Sequence, residues 1–121
     1  MKLNQNLKSV CFDIDGVICS KCKNSNYKIS KPIKKNIKII NKLYERGYKI
    51  TLFTARYMGK YNNNRILAEK NIKKLTLSQL KKWRVNYHEI FFGKPSFDLM
   101  VDDKALFFKK EWANLLKNEL L

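Results

Sequence analysis

The chain has 121 residues, 45% of them hydrophobic and 30% charged, with a formal net charge of +16. That length fits one domain, able to bury roughly two-thirds of its unfolded surface and fold unaided. No apolar run nears the roughly 18 residues of a membrane span, and residues 1–9 lack the apolar centre of a signal peptide, so no membrane and a cytoplasmic setting are expected.

The apolar run from Val10 to Phe12 reads as a short strand buried on both faces. It ends in Asp13-Ile14-Asp15-Gly16. Strand side chains alternate, so Asp13 and Asp15 share a site only if the backbone leaves the extended form at Ile14 or Asp15. Gly16 makes that turn cheap by tolerating positive φ. An EF-hand reading fails because Val17, Ile18 and Cys19 stand where further oxygen ligands belong. A D-x-D of sugar-nucleotide transferases needs a longer domain. Three cysteines form no disulfide framework, and Cys19-Ser20-Lys21-Cys22 has no second pair or histidine to complete a zinc site.

Val17 to Ser30 is polar and non-periodic, which predicts a flap. Ser30 is placed to cap a helix with Pro32 in its first turn, Ile33, Ile37, Ile40, Leu43 and Tyr44 on one face, and Gly47 at its end. Tyr48 to Thr54 reads as the second strand. A loop from Ala55 ends in three asparagines, one suited to cap a helix from Arg65 to about Arg84, with Thr76-Leu77-Ser78-Gln79 as a capping box that restarts it. Glu89 to Phe92 and Leu99 to Val101 read as the third and fourth strands, and Ala105 to Leu120 as a closing helix with Trp112, Leu115 and Leu116 inward. His88, at the amino end of a strand, reads as structural. Strands alternating with helices predict an α/β fold with a parallel sheet covered on both faces.

Ligands of such sheets bind beyond the carboxyl ends of the strands. The four predicted strands end at Asp13-Ile14-Asp15, Thr54-Ala55-Arg56, Gly93-Lys94-Pro95 and Asp102-Asp103-Lys104. All four bring polar or charged groups to one rim. Each also has a bland reading: Asp15 and Asp103 as turn caps, Thr54 as an ordinary strand residue, Lys94 as a solvated lysine, and Arg56 at the surface rather than on substrate.

In that order the motifs resemble those of the haloacid dehalogenase-like (HAD) superfamily of phosphohydrolases, over about Val10 to Lys104. Gly93-Lys94-Pro95 and Val101-Asp102-Asp103-Lys104-Ala105 resemble the small phosphatases associated with bacterial capsular polysaccharide synthesis. The resemblance implies a three-layer, Rossmann-like domain, and the short intervals between motifs leave no room for a cap domain. It makes Asp13 a nucleophile forming an aspartyl phosphate and Asp15 a general acid and base, beside other carboxylates that raise its pKa. It implies Mg²⁺ held by Asp13, Asp102 and the backbone carbonyl of Asp15, with Asp103 as a ligand through water or a support. Thr54 and Lys94, with Ile14 and Ala55, would hold the phosphate, and Arg56 the substrate.

An uncapped site takes its specificity from the flap, from a second copy of the chain in a homo-oligomer, or from a large substrate. The leading expectation is a magnesium-dependent phosphomonoesterase acting on a sugar phosphate or another small phosphorylated metabolite. The +16 charge motivates two alternatives, an end-processing phosphatase of nucleic acid and a non-catalytic phosphate- or nucleic-acid-binding module. Lysines spread from Lys2 to Lys117 favour a solvated basic surface over both.

Overall fold

The computed structural model describes residue 3 and residues 6–106 and 108–121. Its elements follow in the order β1 (Ser9–Phe12), a short 3-10 turn (Tyr27–Ile29), α1 (Lys34–Glu45), β2 (Lys49–Thr54), α2 (Arg65–Lys82), β3 (Glu89–Phe92) and α3 (Trp112–Leu120). The strands form one parallel sheet in the order β1-β2-β3, with Val10 opposite Ile50 and Leu52 opposite Ile90. The molecule is a small α/β domain.

Packing explains the helix that joins β1 to β2. Ile37, Ile39, Ile40 and Leu43 recur at helical spacing and are buried against Ile50, Leu52, Trp112 and Leu116. Each such side chain contributes about 2 kcal/mol through its burial. Gly47, at φ +91°, ends the run and turns the chain into β2. Asn64 caps α2 as expected, its side chain accepting from the Leu67 N–H at 3.1 Å. His88 is structural: its Nδ1 accepts from the Ile50 N–H at 3.0 Å and its ring stacks on Tyr44.

Several boundaries differ from the sequence reading. Ile33, not Ser30, precedes α1, and no side chain caps that helix. α2 runs unbroken through Thr76, so the expected capping box does not form there. β1 is covered on one side only, with Phe12 buried while Cys11 is exposed, and Phe91 is exposed on β3. The closing helix begins at Trp112 rather than Ala105, and Leu115 on it is only half-buried.

Leu99 to Val101 does not form the fourth strand. Leu99 is 82% and Val101 93% exposed, and the segment from Gly93 to Glu111 carries no described helix or strand. A three-residue run offers few ladder hydrogen bonds. Asp98, Asp102 and Asp103 flank it and favour water.

Candidate functional site

The D-x-D segment solves its alternation problem by turning on one carbonyl. After Phe12 the chain leaves the strand, and the Ile14 oxygen accepts from the N–H groups of Val17, Ile18 and Cys19 at 3.1, 2.8 and 3.3 Å. Gly16 sits at φ +85° and donates to the Cys19 oxygen at 2.7 Å. Ile14 is wholly buried, while Asp13 and Asp15 both line a cleft of about 400 Å³. They are the two carboxylates among its lining residues. Lys21, Tyr27, Arg56 and Lys60 face it too.

The other strand ends meet the cleft from the side. Lys94 follows Gly93, donates its N–H to the Thr54 oxygen at 3.1 Å and places Nζ 3.2 Å from Asp13 Oδ2. The Asp13 side chain stays 36% exposed. Its other oxygen accepts from its neighbour's amide, Ile14 N–H, at 2.7 Å. The amide of Ile14, a residue expected on phosphate, is thus engaged by Asp13. Thr54 is fully buried, and its Oγ1 accepts from the Arg56 N–H at 3.1 Å. Of the residues expected on phosphate, Ala55 lines the cleft directly and Thr54 does not.

Arg56 is the main departure. It is 2% exposed, which rules out the surface role weighed for it. Nε donates to Asp15 Oδ2 at 3.0 Å and Nη2 to Oδ1 at 3.1 Å, a two-pronged pair. Nη1 donates to Gln79 Oε1 at 2.6 Å and Thr76 Oγ1 at 3.2 Å, and the guanidinium lies 4.7 Å from the centre of the Tyr27 ring. Gln79 Nε2 in turn donates to the Tyr27 carbonyl at 2.6 Å, tying the flap to α2. Burial pulls the Arg56 pKa down, but hydrogen bonding to Asp15 and its charge pull it up by more, leaving it above the ordinary value. The neighbour of Asp15 is therefore an arginine, where carboxylates were expected.

Cys19 completes this cluster. Its Sγ is 3.4 Å from Asp15 Oδ1 and 3.5 Å from Arg56 Nη2. Burial first, and the Asp15 charge second, push its thiol up to about 12, against the lowering influence of Arg56. At neutral pH it is a thiol, which donates and does not attack. Cys22 lines the cleft, and burial raises its pKa as well.

The expected acidic pair stands apart. Asp102 and Asp103 are exposed on the segment that follows β3, where Asp102 Oδ1 accepts from the Lys104 N–H at 2.9 Å. Among the described residues, no group of three or more histidine, cysteine or carboxylate side chains is placed to hold a metal. Asp102 and Asp103 do not line the cleft with Asp13, and one Asp13 oxygen is taken by Lys94. The donor set named for Mg²⁺ is not assembled here, and these residues as arranged do not fit the ion.

Thr76 and Gln79 were not singled out as site residues. Their signal was present: two polar side chains continue the buried face of α2 that carries Ile72 and Leu80.

No protein-family model matches the chain, and no curated protein matches it. The structure is similar to the crystal structure of an MCSG target from Vibrio cholerae, with a TM-score of 0.75 over 93% of this chain and 98% of that one. At 24% identity, that likeness establishes a shared small α/β fold.

Proposed function

We propose that the protein is a phosphomonoester hydrolase whose nucleophile is Asp13. The observation that carries this reading is the Asp13–Lys94 pair at 3.2 Å, with its carboxylate still open to the cleft where the ends of β1, β2 and β3 converge. A carboxylate alone repels a phosphate dianion. Lys94, Lys21 and Lys60 offset that repulsion and favour an anionic ester in the cleft.

In this reading an Asp13 oxygen attacks phosphorus, the bond to the ester oxygen breaks, and the departing alkoxide takes its proton from solvent water reaching the open cleft. Water then attacks the aspartyl phosphate, releasing phosphate and restoring Asp13. Asp15 is the second carboxylate of the cleft and the residue available for proton transfer, and Arg56 fixes its orientation. As placed, its oxygens accept from Arg56 and Cys19.

The reading carries with it the finer architecture expected from the sequence: three layers, Rossmann-like, helices on both faces and no cap. It also carries a small phosphorylated substrate such as a sugar phosphate, and cytoplasmic action. Magnesium enters as a condition of the test, and no step is drawn through it. The test is release of inorganic phosphate from sugar phosphates, nucleotides and phosphorylated oligonucleotides, with Mg²⁺ or with chelator. Parent turnover that falls by at least about 10³-fold in Asp13→Asn, with folding intact, is expected. Equal turnover in parent and variant rules out Asp13 as nucleophile.

A further inference from the structure

A second concavity, larger than the cleft at about 730 Å³, runs along α1 and the turn that follows α2. Six of its lining residues are cationic and one, Glu45, is acidic. Whole-chain lysine bias does not account for that balance, because the carboxylates are segregated. From Gly16 to Tyr44 there are eight lysines and no acid, and from Lys70 to His88 five lysines, one arginine and no acid. The groove is walled by these two stretches.

Its geometry is ordered as well as basic. Lys34, Lys38 and Lys42 stand at i, i+4 and i+8, about 6 Å apart along one face of α1. Like charges at that spacing destabilise a helix, a cost that an anionic ligand would relieve. Across from them lie Lys82, Trp83 and Arg84. One side chain of α1 locks their turn in place: Asn41 Nδ2 donates to the Arg84 oxygen at 2.9 Å, and Asn41 Oδ1 accepts from the Asn86 N–H at 2.8 Å. Trp83 keeps part of its indole open to the groove. A cationic row beside an anchored aromatic is the combination that holds a phosphate backbone and stacks its bases.

We infer that this groove, separate from the candidate active site, binds single-stranded nucleic acid, with phosphates along Lys34, Lys38 and Lys42 and a base on Trp83. The inference does not rest on the phosphatase reading. Its test is fluorescence anisotropy with a labelled single strand of about 20 nucleotides and the matching duplex, across a salt series. Three variants are compared with the parent: Lys34→Glu/Lys38→Glu in the groove, Lys70→Glu/Lys74→Glu on exposed α2 positions outside it, and Trp83→Leu. The groove pair should weaken single-strand binding about tenfold or more and lower the salt slope by about 1.4, the value for two lost phosphate contacts. The α2 pair, with the same change in net charge, should cost less than about threefold. Trp83→Leu should remove the preference for single strand over duplex, and Asp13→Asn should leave binding unchanged. Equal losses in the two double variants would reduce the effect to net charge and overturn the site. So would an absence of parent binding at about 0.1 M salt, or a duplex or an anionic vesicle bound as tightly as the single strand.

Discussion

A buried arginine is tolerated only when its donors are spoken for, and Arg56 spends them on Asp15, Thr76, Gln79 and Cys19. Truncation therefore strands a partly buried carboxylate and two buried polar groups. Arg56→Met should lower stability by about 3 kcal/mol in urea unfolding, and Arg56→Lys by less, since an ammonium keeps the charge but loses the two-pronged geometry. A loss below about 0.5 kcal/mol for Arg56→Met would place it with ordinary surface changes and contradict this account of the network. The sequence revealed part of this cluster. Asp13, Asp15 and Lys94 were legible because each follows an apolar strand-like run. The burial of Arg56 was not, because its partners Thr76 and Gln79 lie 20 and 23 residues further on and only the docking of α2 brings them near.

Elements place these residues through a few backbone turns. Gly93, at φ +91°, redirects the chain after β3 so that Lys94 reaches both Thr54 and Asp13. A β-carbon there would run into the Arg65 side chain on the first turn of α2. Gly93→Ala should cost about 1–2 kcal/mol from the left-handed backbone alone, and more from the collision. Thermal unfolding checks the stability loss, and phosphate release should fall with it as Lys94 shifts; an unchanged midpoint would show that the turn relaxes freely. α1 was readable from periodicity because it buries an apolar stripe of Ile37, Ile40 and Leu43. β2 and α2 were readable because Ile50 and Leu52, and Ala68, Ile72 and Leu80, recur at strand and helix spacing despite the polar residues buried beside them. Leu99 to Val101 carries the same residue types but pairs with neither β1 nor β3, and hydrophobicity by itself did not make it a strand.

At the scale of the whole molecule, charge is the dominant property. A net +16 on 121 residues opposes compaction through self-repulsion. Raising sodium chloride from about 10 to about 150 mM shortens the screening length from about 30 to about 8 Å, so the thermal midpoint should rise by a few degrees. A midpoint that falls would mean that local ion pairs such as Lys49–Glu89 outweigh the repulsion. The fold class and the convergence of three strand ends were legible because both follow from the order of elements. The placement of Asp102 and Asp103 was not, because it depends on whether a short segment finds a partner. One side chain then links the flap to the carboxylate cluster: Gln79 holds Arg56 with its oxygen and the Tyr27 carbonyl with its nitrogen. Lifting Tyr27 must free or rotate the amide that steadies Arg56, and through it Asp15. A ligand whose entry required Tyr27 to lift would therefore also loosen the second carboxylate, coupling access to the cleft with the order of its acidic groups.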